Sequence, residues 1–348
     1  MSADAASRPG RLGVGIVGAG RVGAVLGSAL RGAGHPVVGV SAVSAESRER
    51  ASTLLPGVPV LEVPEVVRRA ELVLLAVPDD VLAPLVRGLA DTGAWQAGQI
   101  VAHTSGRFGT AVLDPARAAG VIPLALHPAM TFTGTSLDLS RLVGCAFAVT
   151  APGPVLPIGQ ALVVEIGGEP VVVAEDQRPL YHAGLAHGAN HLVVLVAQAA
   201  QALRAAGVEE PGHVLRPLLE AALDGALRAE DAAGEGGAGA ISALTGPVRR
   251  GDAGTVAEHV AVLAAMGAAS GAVDVPTGYG ALSRAATARA LSAGLVRADA
   301  AQHVLDALAG IITTPSVLQQ GDHGTPPAGP PGQDGPAEDD GTPSQEDS

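Results

Sequence analysis

The feature that most constrains this chain is a glycine signature, Gly18-Ala19-Gly20-Arg21-Val22-Gly23, set between an apolar run and a helix-like stretch. The run LGVGIV (12–17) has no polar break, as a strand buried on both faces would have none. The stretch after the glycines reads as helix to Ala33. In that setting Gly18 allows a tight turn, Gly20 lets the backbone approach a pyrophosphate, and Gly23 lets the helix pack close on the strand. Free amides from Ala19 to Val22 then meet the phosphates at the helix N-terminus. The context argues for a dinucleotide site over a plain strand–helix turn in a chain of 47 glycines.

The same alternation continues. PVVGVSA (36–42), ELVLLAVP (71–78), GQIVAHTSG (98–106) and GVIPLALHP (120–128) read as strands, VPV (58–60) as a short one, and 44–54 as a helix. Asp79 or Asp80 is expected to cap the next helix. CAFAVTA (145–151) and EPVVVA (169–174) add strands around a further helix. Beyond Asp176 the pattern turns helical: 178–206, 211–229 with Pro211 at its first position, then about 255–267, 277–293 and 298–310, with ALTGPVRRGD (243–252) as a loop. This predicts an α/β fold, a doubly wound parallel sheet of the Rossmann type followed by an all-helical C-terminal domain. The expected boundaries are a flexible N-terminus (1–10), a dinucleotide-binding domain (11–152), a helical substrate and dimerisation domain with a small α/β lead-in (153–315), and a disordered acidic Pro/Gly tail (316–348).

An acid at the end of the second strand would mark NAD, but the residues there are Ser41, Ala42, Val43 and Ser44. Ser41, Ser44 and Arg48 instead suit a 2′-phosphate, which points to NADP. Later strand ends reach the same crevice. Val77, Pro78 and Asp79 are expected beside the nicotinamide ribose, and Thr104 and Ser105 near the nicotinamide.

Composition removes several function classes. All 21 basic residues are arginine, so lysine Schiff bases and P-loop lysines are excluded. The net charge of −13 is uneven, because seven of the 34 acids and no base lie in 320–348. No basic stripe exists and aromatic residues are only 2%, which argues against nucleic-acid binding. One cysteine, Cys145, excludes an internal disulfide framework, and no histidine set has metal-ligand spacing, so no metal is expected. No uninterrupted apolar run approaches the roughly 18 residues of a membrane span, and the N-terminus has no apolar leader. A cytoplasmic location without membrane contact is expected.

GIVGAGRVG, LLAVPDD, HTSG, LALHPAMTFTG, YHAGLAHGANHL and ALTGPVRRGD together resemble the domain-of-unknown-function 2520 family, over about residues 11–312. That family resembles the 6-phosphogluconate-dehydrogenase-like enzymes, among them ketopantoate reductases, pyrroline-5-carboxylate reductases and deazaflavin-dependent NADP reductases. The resemblance implies an NADP-linked oxidoreductase with its active site between two domains. Ketopantoate reductases use a helix lysine with an asparagine a turn later. The corresponding helix here reads Tyr181-His182-Ala183-Gly184-Leu185-Ala186-His187-Gly188-Ala189-Asn190-His191 and has no lysine.

The proton donor is therefore expected to be histidine. His187 and Asn190, three apart, share a helix face. His182 lies about 140° around the helix from His187, so the two are not expected to face one cleft. His127 follows a buried strand, and Pro128 holds it extended; this His-Pro resembles a substrate-side element of prephenate dehydrogenases. Thr131, Thr133 and Thr135 offer loop hydroxyls. Thr245 and Arg250 are expected to hold a small anionic metabolite, with Asp252 either pairing with an arginine or capping the helix near Thr255. The reading is reduction of a small carboxylate-bearing carbonyl compound, ketopantoate-reductase-like, by a homodimer whose long apolar helix (178–206) supplies the contact. A non-catalytic NADP(H)-binding regulator and a deazaflavin-dependent NADP reductase remain open alternatives.

Overall fold

The structure, a computed structural model, describes residues 11–309; the expected N-terminal segment 1–10 and acidic tail 316–348 lie outside the described residues. The chain divides into two compact units, with the division between Ala197 and Gln198.

The first unit is built on one seven-stranded sheet, ordered β2-β1-β3-β4-β5-β6-β7. Its strands are β1 (Val14–Val17), β2 (Val37–Ser41), β3 (Leu72–Leu75), β4 (Ile100–His103), β5 (Ile122–Pro128), β6 (Ala146–Thr150) and β7 (Glu169–Val172). All neighbours pair parallel except β5 and β6. Helices α1 (Arg21–Gly32), α2 (Ala45–Leu54), α3 (Val63–Arg69), α4 (Asp79–Asp91), α5 (Asp114–Arg117), α6 (Leu137–Leu142) and α7 (Leu156–Glu165) fall between the strands. The apolar strands show no polar alternation because both faces are covered. Leu72 and Leu74 join one core with Ile16, Leu26 and Phe147, while Val73 and Leu75 join another with Leu82, Val86 and Trp95.

Three expectations change. VPV (58–60) forms only a single bridge, Val60 to Val40. Pro59 has no N–H to continue a ladder, and only its carbonyl is engaged, by Val40 N at 3.0 Å. Asp79 and Asp80 do not cap α4: Pro78 holds that position, and the two acids occupy the first turn, where their charge favours the helix N-terminus. The sheet also continues past residue 152, since β7 pairs with β6 and completes the first unit instead of leading into the second.

Helix α8 (Arg178–Ala205) follows. The second unit is helical, with α9 (Pro211–Asp231), α10 (Gly246–Arg250), α11 (Ala253–Ser270), α12 (Asp274–Ser292) and α13 (Ala298–Leu308). Val248, Val256, Val304 and Leu308 form its core, and Ala290, Val296 and Ala301 a smaller one. The expected loop 243–252 contains α10, which ends on Gly251 at φ 70°, a conformation that favours glycine. Asp252 caps α11, accepting from Thr255 N at 3.1 Å. Among the described residues, α11 is long and apolar enough to cross a membrane by length and composition alone; Glu258 and His259 interrupt its apolar sequence, and it packs on α12 and α13.

Candidate active site

One register row crosses the parallel strands. Ser41 pairs with Val17, Val17 with Leu75, Leu75 with His103, and His103 with Ala125. The glycine loop, Ala76-Val77, Thr104-Ser105-Gly106 and His127 all follow this row, so they share the carboxyl edge where ligands bind such sheets.

The three glycines are sterically distinct. Gly18 has φ 98°, and a Cβ there would press on Ala76 O. A Cβ on Gly23 would collide with Gly18 O, so α1 packs against the loop only because Gly23 has none. At Gly20 nothing lies within 4 Å of the same position, which leaves room for a ligand. Gly20 also caps α1 with no side-chain hydrogen bond, so the amides of its first turn have no side-chain partner there. This loop fits a dinucleotide's pyrophosphate. Arg21, the first residue of α1, lies beside Gly134 of the loop after β5, and so does Arg50.

The structure reassigns the serines at the expected ribose end. Ser41 is buried, and its Oγ accepts from Gly18 N at 3.0 Å, bracing the glycine turn. Ser44 caps α2 by accepting from Ser47 N. Arg48 is exposed on α2, whereas Arg50, two residues on, directs Nε to Ala19 O at 3.4 Å. The arginine seated at the glycine loop is thus Arg50 and not Arg48. Likewise Ser105 Oγ accepts from the amides of Arg107 and Phe108 and holds a turn. Thr104 N donates to Leu75 O. The hydroxyl of Thr133 and the amides of Thr133 and Gly134 converge on buried Asp138; burial works against its ionised form, but these donors hold the carboxyl below its usual range.

Of the histidines proposed for catalysis, two come together. His127 Nδ1 lies 3.0 Å from the Tyr181 phenol oxygen, and the rings of His127 and His182 meet edge to face at 6.2 Å. Gly106 makes this closeness possible, since a Cβ there would lie 2.7 Å from His182 and 2.8 Å from His127. His187 and Asn190 are exposed further along α8, and His187 pairs with His191 through Nδ1 atoms 2.9 Å apart. His182 and His187 therefore take different faces of the helix, as the rotation between them requires.

Beneath the cluster lies a residue that no motif singles out. Arg178, the first residue of α8, is fully buried. Its guanidinium donates to Thr150 Oγ1 (2.8 Å), Ser105 O (3.1 Å), Ala125 O (2.8 Å) and Ala148 O (3.0 Å), all neutral acceptors. Burial lowers the Arg178 pKa to about 10, so it keeps its charge. Burial, with Arg178 and then His182, pushes His127 down to about 4. Burial also raises the Tyr181 phenol, against the pull of Arg178. At neutral pH the pair is a neutral imidazole and a protonated phenol beside a fixed positive charge. Such a site can deliver a proton to an oxygen that gains negative charge.

His103 has a different part. Ser105 N donates to its Nδ1 at 3.2 Å, so Nε2–H donates to Gly109 O at 2.8 Å, and burial lowers its pKa to about 4. It holds the 105–109 turn. Thr245 and Arg250 lie in the second unit, on a cleft also lined by Arg249 and Arg297.

Several solved structures share this fold. A provisionally assigned NADP oxidoreductase from Bacteroides fragilis is 21% identical at a TM-score of 0.62, covering 79% of this chain and 98% of that one. A Thermotoga maritima protein is 20% identical at 0.58, covering 80% and 98%. A Myxococcus stipitatus imine reductase in complex with NADP+ is 17% identical at 0.56, covering 81% and 95%. No curated protein matches the chain. Residues 1–128 match the Rossmann-like domain, and residues 145–286 match the domain of unknown function 2520. The chain thus joins, on one polypeptide, a segment that matches the Rossmann-like domain and a segment that matches DUF2520.

Proposed function

We propose that the protein is an NADP-dependent oxidoreductase that reduces a small carboxylate-bearing carbonyl compound or oxidises the corresponding alcohol. The observation that carries this reading is the shared edge: the open glycine loop and the Tyr181–His127 pair follow the same register row. The Bacteroides fragilis and Myxococcus stipitatus proteins, an NADP oxidoreductase by provisional assignment and an NADP+-bound imine reductase, support it.

When bound, NADPH supplies the hydride. Gly18, Gly20 and the first turn of α1 would hold its pyrophosphate, and Arg50 with Arg48 would meet its 2′-phosphate. Tyr181 donates its phenolic proton to the substrate oxygen. His127 orients the phenol through the 3.0 Å contact, and the tyrosinate left behind regains its proton from solvent once product has departed. Arg178 stabilises the negative charge that passes through the pair, and His182 closes its side.

Reduction of C=N in place of C=O is the second reading, favoured by the imine reductase of like fold. A panel of 2-oxo acids and cyclic imines with NADPH, followed at 340 nm, separates the two. NADPH binding with no turnover on any acceptor, deazaflavin included, would favour a regulator; turnover with deazaflavin alone would make both reactants cofactors. A homodimer is also proposed, on the exposed Leu192, Val193, Val194 and Leu195 of α8. Light scattering tests it, and a clean monomer would refute it.

A further inference from the structure

The second unit carries an open cleft of about 730 Å³ lined by Ser242, Leu244, Thr245, Arg249, Arg250 and Arg297, with further apolar residues. No acid is among the described residues that line it, although the chain carries a net charge of −13. Three guanidinium groups thus line one open cleft of an acidic protein.

Two of these groups are held by fixed partners. Arg249 donates through Nη1 to Leu295 O. Arg297 grips Asp299 through Nε and Nη2, at 3.1 and 3.0 Å, and Nη1 stays outside that fork. Arg250 has a weaker hold, its Nη2 standing 4.0 Å from Asp252. The reason is local: the Asp252 carboxylate accepts from Thr255 N at 3.1 Å and Thr255 Oγ1 at 2.7 Å as the cap of α11. Arg250 is largely exposed on the cleft.

The charge count selects the ligand. Asp299 answers Arg297 and Asp252 stands 4.0 Å from Arg250, so three guanidinium charges meet two carboxylates and one positive charge is left for a guest at Arg249 and Arg250. A planar guanidinium fork matches the two oxygens of a carboxylate. The remaining wall, with Leu244, Leu295 and Val296, is apolar and suits a short hydrocarbon body. We infer that this cleft binds a small organic monocarboxylate, its carboxylate held by Arg249 and Arg250 and its body against Leu244 and Val296. The inference does not rest on the proposed oxidoreductase activity.

Titration of the full chain with benzoate, followed by amide NMR, tests it directly. Benzoate should shift resonances of residues 242–250 and 295–300, while benzyl alcohol, its neutral counterpart, should leave them in place. Arg250→Gln should weaken benzoate at least tenfold with an unchanged melting temperature, because the side chain is exposed. Equal binding of benzyl alcohol, wild-type affinity in R250Q, or displacement of benzoate by lower concentrations of inorganic phosphate would each overturn the assignment. A chain that binds benzoate in this way but not NADPH would lose the proposed activity and keep this site.

Discussion

The phenol oxygen of Tyr181 lies 3.0 Å from Nδ1 of His127, joining the first turn of α8 to the end of β5 across 54 residues of sequence. Tyr181→Phe removes the hydroxyl and keeps the ring. If the phenol is the proton donor, kcat should fall about 10²–10⁴-fold, with little change in KM for NADPH. Steady-state kinetics on the best acceptor from the panel decides it, and an undiminished kcat would move the donor role elsewhere.

Gly20→Ala and Gly23→Ala should part company. The first adds a methyl where the protein has nothing within 4 Å, so folding should be unaffected while NADPH binding weakens. The second drives a methyl into Gly18 O and should cost several kcal/mol, about the scale of severe core disruption. Melting curves and NADPH fluorescence on both variants check the pair. Tight NADPH binding by G20A would argue against the pyrophosphate seat.

Gly106→Ala tests the packing of the cluster. Its methyl would come within 2.8 Å of both His127 and His182, so one ring must turn away. The expected loss is about 1–3 kcal/mol, the usual cost of overpacking, with ring resonances of both histidines shifted. A variant of unchanged stability and unchanged histidine spectra would contradict the contact.

Stability should depend on pH through His103. Its folded pKa is about 4, below the unfolded value near 6.5, so the unfolded chain binds more protons between those limits. Stability is therefore intact above pH 6.5 and declines as pH falls toward 4, by about 3 kcal/mol for this residue. His127, lowered to a similar value, adds to the decline. Urea titrations from pH 7.5 to 4.5 would expose it. His103→Gln should flatten the curve, and an identical slope in that variant would refute the assignment.

The difference between what the sequence announced and what it concealed follows from the range of the forces involved. The glycine signature was legible because its steric demands are local, set within six residues of chain. The strands were legible because two covered faces leave no room for polar residues. Arg178 was hidden because three of its acceptors are main-chain carbonyls, which any residue supplies. Tyr181 was hidden because α8 is apolar and small on every side, so its pattern declares no inward face. His187 was selected on its three-residue spacing to Asn190, and both lie exposed, away from the His127–Tyr181 contact. Arg50 was obscured by Arg48, since only the fold shows which of them reaches the glycine loop.

The seating of Arg178 also sets an order in time. Its guanidinium reaches back 73 residues to Ser105, 53 to Ala125 and 30 to Ala148. None of these bonds can close until β4, β5 and β6 lie side by side, and such distant closures come late. In a nascent chain all three acceptors are synthesised before Arg178, so the first turn of α8 can dock only on strands already made. Loosening that seat with Thr150→Val should hasten unfolding and leave the refolding rate nearly unchanged in stopped-flow experiments. A slower refolding limb would place the closure early instead.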